Sequence, residues 1–412
     1  MNVLVLAVLI VLIEPLRVHA ASDDYPTVQF RGFGTAALGG TDTDRLGFRR
    51  VNNQRRGLTR SWGFDNDSRL GLQLDVDFSR TWHAGVQWVA RNHVGDFFEQ
   101  NLDWAYLRWR PLDDLDIRLG RLGLDLFFLS EYREVGYAYP WIRPPHEFYA
   151  ANPVYHFDGA DVSKRFRIGD GHLTAKLFGG YAYYQLPIYK TDVLNGGVTL
   201  LGGNLVFERG NWRARIGHVF ATQETELPLQ ELRSAMHSPD LNAVWPAARA
   251  LSAELRTRGN YAQFSSVGLA YDDGTWLAQA EAHYTDSNMS VQPNVLGGYL
   301  SLGRRIDAVT LYSVYGTSHS LHHQINVPMP AIQTPDLMEI WKGVDTAFNG
   351  NGLDQQSATV GVRWDAYRNV AIKAEWNHYW LGQHGTVLWD DPGTGDVPHN
   401  VNVWSFGVDF LF

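Results

Sequence analysis

The feature that most restricts this chain is an alternation of apolar and polar residues with a period of two, repeated along its length. In Arg69 to Phe78, Leu70, Leu72, Leu74, Val76 and Phe78 alternate with Arg69, Gly71, Gln73, Asp75 and Asp77. The pattern returns in Trp82 to Arg91, in Trp276 to Tyr284 with Gln279, Glu281 and His283 on the polar side, and in Ser357 to Asp365. Successive side chains of a β-strand point to opposite faces, so each segment has one greasy face and one charged face. A soluble sandwich must keep its inner face dry, whereas a barrel with lipid outside and water within needs this pattern.

Composition agrees with strands and turns, because 40 Gly, 15 Trp, 19 Tyr and 20 Phe supply strand-forming aromatics and turn residues. A net charge of -9 gives no footprint for nucleic acid, which is not expected as a partner. The chain has no Cys, which excludes disulfides and thiolate metal sites. At the N-terminus the apolar run Val3 to Ile13 is followed by Val18-His19-Ala20, so residues 1–20 read as a signal peptide cut after Ala20. Beyond them no apolar run reaches the roughly 18 residues a membrane helix needs, and membrane passage would have to use strands.

The gaps between strands alternate between short and long. Tight turns are expected at Ser79-Arg80-Thr81, Pro111 to Asp114, Gly169-Asp170-Gly171, Gly210-Asn211, Asp272-Asp273-Gly274, Arg305-Ile306-Asp307 and Tyr367-Arg368-Asn369. Long segments are expected at 39–67, 92–100, 122–157, 185–196, 223–257, 288–294, 319–355 and 381–400. Short turns on one rim and long loops on the other mark a transmembrane barrel, and the segments between them number sixteen, with 14 or 18 as alternatives. The expected fold is therefore an all-β, antiparallel, up-and-down transmembrane barrel occupying 21–412 as one domain. Its last strand alternates Trp404, Phe406, Val408, Phe410 and Phe412 and ends on an aromatic, so Phe412 is the candidate assembly signal.

In this organisation the mature sequence resembles the general Gram-negative outer-membrane diffusion porins. Similar elements are Phe30-Arg31-Gly32-Phe33-Gly34, Arg118-Leu119-Gly120-Arg121 and Ala374-Glu375-Trp376. The family's Pro-Glu-Phe-Gly loop run is absent, and Pro145-His146-Glu147-Phe148-Tyr149 stands in its place. The resemblance implies an outer-membrane trimer in which the loop after the fifth strand folds inward and narrows the lumen.

That loop, 122–157, interleaves Asp125, Glu131, Arg133, Glu134, Arg143 and Glu147 with Phe127, Phe128, Tyr132, Tyr137, Tyr139, Trp141, Phe148 and Tyr149. Aromatics at this density need a surface to bury against, either the barrel wall or neighbouring loops and subunits. If the loop folds inward, Arg69, Arg91, Arg118 and Arg121 are expected to face its acids across a narrow aqueous gap. The expected function is passive diffusion of small hydrophilic solutes or ions, with outer-membrane lipid around the barrel. The alternatives are a plugged barrel with an adhesive or structural role, and a barrel-embedded lipid hydrolase.

Catalytic and metal patterns are weak. Gly32-Phe33-Gly34-Thr35-Ala36-Ala37 fits a dinucleotide fingerprint but leads into Gly39-Gly40 instead of a helix, so strand glycines explain it better. None of the 15 His forms H-E-x-x-H, His319, His322 and His323 read as solvated loop residues, and Ser318 lacks the second Gly of a nucleophile elbow. Asp65-Asn66-Asp67 reads as a turn before it reads as a calcium loop. No catalytic residue, metal or cofactor is expected.

Overall fold

The structure, a computed structural model, describes residues 25–95, 97–188, 192–321, 325–382, 386–391 and 397–412. The signal-peptide reading of 1–20, and His322 and His323, lie outside the described residues.

Sixteen strands form a closed antiparallel barrel in which each pairs with its sequence neighbours and the last pairs with the first. They are β1 (Thr27–Thr41), β2 (Arg69–Asp77), β3 (Trp82–Arg91), β4 (Leu102–Leu112), β5 (Leu115–Gly123), β6 (His156–Ile168), β7 (Gly171–Ile188) and β8 (Asp192–Arg209). They continue as β9 (Trp212–Gln223), β10 (Tyr261–Asp272), β11 (Trp276–Ser287), β12 (Asn294–Ile306), β13 (Val309–Leu321), β14 (Asp354–Tyr367), β15 (Val370–Leu381) and β16 (Asn400–Leu411). Number and order are those the alternation implies. The reason is physical: a one-residue slip would turn every charged residue toward lipid, so each register is strongly specified.

Short turns gather on one rim, and their residues suit left-handed backbone: Gly169 and Gly210 have φ of 61° and 55°, and Asn369 has φ of 63°. The β7–β8 hairpin extends further than the sequence pattern suggests, since Gln185 Nε2 and Tyr183 Oη both donate to Asn195 Oδ1 across it. The outer face is apolar, with Leu119, Leu177, Leu201, Ile216, Val267 and Val360 at least half exposed. Trp82 stacks on Trp109 and Trp212 packs on Tyr271 near the short-turn rim, while Phe220 stacks on Tyr261 near the other. An apolar band bounded by aromatics on a barrel without edges is a surface built for lipid.

The seam joins β1 to β16 from Phe33–Leu411 to Thr41–Val403. Gly32 and Gly34 lie on the outer face of β1, and the rings of Phe412 and Phe410 occupy the space their side chains would take. The Gly32-to-Ala37 segment thus serves the seam as a strand.

Besides the short helices Phe97–Asn101 and His146–Tyr149, two of the long loops carry helices that pack on one another, which the sequence pattern left as irregular. Gln230–Met236, Pro239–Val244, Ala248–Glu254 and Pro335–Asn349 share a core of Met236, Trp245, Ala248, Leu255, Leu337, Val344 and Phe348. The longest begins at Thr334, whose side chain accepts from Leu337 N, with Pro335 in its first turn. Leu337, Trp341, Val344 and Phe348 follow at helical spacing, a signal diluted in a polar, Gly-flanked loop. Near the same rim, Gly47–Phe48 pairs with Trp389–Asp390 as a two-stranded ladder.

Candidate functional site: the segment inside the barrel

Between β5 and β6, residues 124–155 enter the lumen. Its short turns, among them Gly136–Ala138 and His146–Tyr149, satisfy part of its backbone N–H and C=O groups, and inward side chains of the wall take up others. They do so around nearly the whole circumference. Arg69 on β2 donates to Glu134 O at 2.6 Å, and Arg215 on β9 to Asp125 O at 2.6 Å. Ser266 on β10 donates to Leu126 O, and Glu281 on β11 accepts from Phe128 N at 2.8 Å. Ser301 on β12 accepts from the Trp141 indole at 3.0 Å. Arg363 on β14 donates to Tyr137 O and Tyr139 O, and Glu375 on β15 accepts from Ile142 N.

Lys373 on β15 makes the densest contact. Its ammonium donates to Gly136 O, Tyr139 O and Trp141 O at 2.8, 2.7 and 2.7 Å, and lies 2.7 Å from the Asp409 carboxylate.

The aromatics of the segment bury against the opposite wall. Phe127 packs edge-on to Phe148, Tyr149 and Phe264, Trp141 to Tyr299, and Phe148 to His283. Tyr149 and Tyr299 both donate to Glu281 Oε1. Beside the segment, the space among Trp141, Arg143, Glu147 and Tyr379 is about 10 Å³, as is that among Gln87, Asp103, Glu134 and Tyr155. Each is about the size of one water.

The charged residues singled out from the sequence distribute as follows. Arg69 and Arg91 point inward, Arg91 in a bidentate pair with Asp103 at 2.7 and 2.8 Å. Arg118 points inward between Asp161 and Glu131. Arg121 does not: three residues along the same strand it lies on the outer face, paired with Asp158 at 2.8 Å, because side chains alternate. The expectation that both arginines face the lumen is corrected for Arg121.

Within the segment, Asp125 sits between Lys176 and Arg215, Glu134 meets Arg50 at 3.0 Å, and Arg143 pairs with Asp67 at 2.7 Å with both side chains 2% exposed. Arg133 lies 3.4 Å from the Tyr155 ring centre. Glu147 accepts from Gln355 at 2.6 Å. Glu131 remains 44% exposed, bridging Arg118 and Lys176. Of the acids expected to face bases across water, Asp125, Glu131 and Glu134 are therefore in direct contact with them, whereas Glu147 is not.

Burial alone would raise the Glu134 carboxyl, but Arg50, Arg91, Arg69 and Arg133 hold it down to about 2. Burial pushes the Glu147 carboxyl up, with only neutral donors to oppose it. Burial likewise depresses His146 to about 3, so the imidazole is neutral, and its Nε2 bonds Arg49 O.

Sequence reasoning did not assign Lys373, Asp409, Glu281, Glu375, Asp67 or Arg215 to the lumen site. For all but Asp67, which lies in the turn before β2, the inward placement was readable from alternation, but their role depends on the path of the segment. Asp67 is occupied by Arg143, and His319 bonds Thr317 and Asp354. Among the described residues no group of three or more His, Asp or Glu converges to hold a metal ion.

No family model and no curated protein matches this chain. Solved structures do match, at low identity and nearly full length. Salmonella typhi OmpF, in a complex with daunomycin, is 10% identical with a TM-score of 0.53, covering 95% of this chain and all of that one. The outer-membrane channel DcaP of Acinetobacter baumannii is 11% identical with a TM-score of 0.52, covering 95% and 99%. The anion-selective porin of Comamonas acidovorans is 12% identical with a TM-score of 0.50, covering 94% and 100%. With its closed sixteen-strand sheet and apolar outer band, this chain is a transmembrane β-barrel of the Gram-negative outer-membrane type, with the fold of the porins.

Proposed function

We propose that this chain is a porin for ions and small hydrophilic solutes whose lumen is closed at mid-height by residues 124–155, and which conducts when that segment shifts. One observation carries this reading: side chains on β2, β5, β7 to β12 and β14 to β16 are bonded to the segment instead of lining a water path. The likeness to barrels described as porins and channels supports transport, and the trimeric form of a Vibrio cholerae outer-membrane protein with the same fold supports a homotrimer. Solutes would be filtered by size and by the paired charges around Glu131, which is open to water. Neither a cofactor nor a catalytic group is needed for such passage.

Conductance in planar bilayers tests the reading. The wild-type barrel should open rarely, whereas a variant with residues 127–147 replaced by a short Gly-Ser linker should conduct continuously. A large steady wild-type conductance would show that the lumen is open. A folded, non-conducting linker variant would favour the second reading, a plugged barrel whose helical cap engages a partner outside the cell; the packed core of that cap is what favours it.

A further inference from the structure

We infer that Lys373 and Asp409 form the latch that holds the segment closed, and that the latch sits on the seam where the first and last strands meet; this rests on the closed-lumen reading above. The Lys373 ammonium is completely buried and has four oxygen partners, three of them carbonyls of one short stretch, Gly136 to Trp141. An ammonium has three protons to donate, so this group is saturated by the segment and the carboxylate together. Asp409 belongs to β16, faces Ala371 across the sheet, and also accepts from Thr35 on β1. The latch thus joins β15, β16 and β1 to the segment at one point.

The segment is shaped to reach that point. A side chain at Gly136 would collide with Asp409 Oδ1, Thr35 Oγ1 and Arg69 Nη2, so only glycine lets the backbone come within reach of the ammonium. Removing Lys373 would leave Trp141 O without a donor and strip the charged donor from Gly136 O, Tyr139 O and Asp409, which keep Tyr139 N, Arg363 and Thr35 respectively, so water must enter beside them. The bound and released positions of the segment then differ chiefly in whether this nest is filled. Lys373 is therefore a positioning residue for closure. Its nest should accept a free primary ammonium of matching length.

The test uses the full-length barrel in planar bilayers. Lys373→Ala should raise the open fraction about tenfold or more, since several hydrogen bonds and an ion pair are lost together. Propylammonium replaces the atoms missing beyond Cβ and should restore closure in a saturable way, whereas tetramethylammonium, with no N–H, should not. Gly136→Val should open the barrel equally but resist rescue, because its nest is obstructed and not vacant. Should Lys373→Ala fail to assemble, Lys373→Met keeps the stem, lacks the donors, and should also open. The latch is overturned if the lysine variants stay as closed as wild type while the linker variant conducts, or if propylammonium leaves Lys373→Ala open. A wild-type barrel that already conducts steadily overturns the closed-lumen reading itself, and the latch with it.

Discussion

The ring of Phe412 covers Gly32, and the two residues exchange both backbone hydrogen bonds across the barrel seam, at 3.0 and 2.8 Å. The last residue of the chain is thus a structural part of closure, in addition to any sorting role. Phe412→Asp should sharply reduce the heat-modifiable folded band in the membrane fraction, and Gly32→Val should do so to a lesser degree by displacing the ring. Normal folded levels of both variants would remove this account of the seam.

Arg143 ties the segment to Asp67 of the β1–β2 loop in near-complete burial. Arg143→Met leaves Asp67 without its bidentate partner, and a broken buried pair costs about 3–5 kcal/mol. The expected result is a clear fall in thermal stability in detergent, partly recovered by adding Asp67→Asn. If the single variant melts like wild type, the pair does not hold the segment.

Placement of the arginines separates two variants that sequence alone would treat alike. Arg121→Ala should leave the reversal potential in a salt gradient unchanged, since Arg121 faces outward with Asp158. Glu131→Ala, measured in the Lys373→Ala background so that current flows, should shift selectivity toward anions, because it removes a water-exposed negative charge beside Arg118 and Lys176. A shift with Arg121→Ala would place that residue in the ion path after all.

Acid should loosen the segment through Glu134. Its folded pKa of about 2 lies below the ordinary glutamate value, so its contribution is complete above that value and is lost as pH falls from about 4.5 toward 2. Proteolysis within the segment should increase over that window, and Glu134→Gln should flatten the dependence. Glu147 works in the opposite direction, since burial raises its pKa and protonation favours its buried place. Glu147→Gln should therefore make the segment more resistant above neutral pH.

The alternation of Leu70, Leu72 and Leu74 with Arg69, Gln73 and Asp75 was sufficient to determine a barrel. Each strand carries its own face assignment, and turn residues such as Gly169 and Asn369 set where strands reverse. Parity alone also assigns Lys373, Glu281 and Asp409 to the inside and Arg121, an odd number of positions from Arg118, to the outside. What the tertiary structure decided is which inward charge meets which. Glu134 lies 84 residues from Arg50, and Lys373 lies 237 from Gly136, so no local spacing encodes these pairs. They depend on the path of a segment with only short helical turns, whose remaining backbone groups take hydrogen bonds from whichever wall side chains the curvature of the barrel brings within reach. The helical cap is of the same kind: Trp245 and Phe348 come from different loops, and only their meeting above the rim makes either one a core residue.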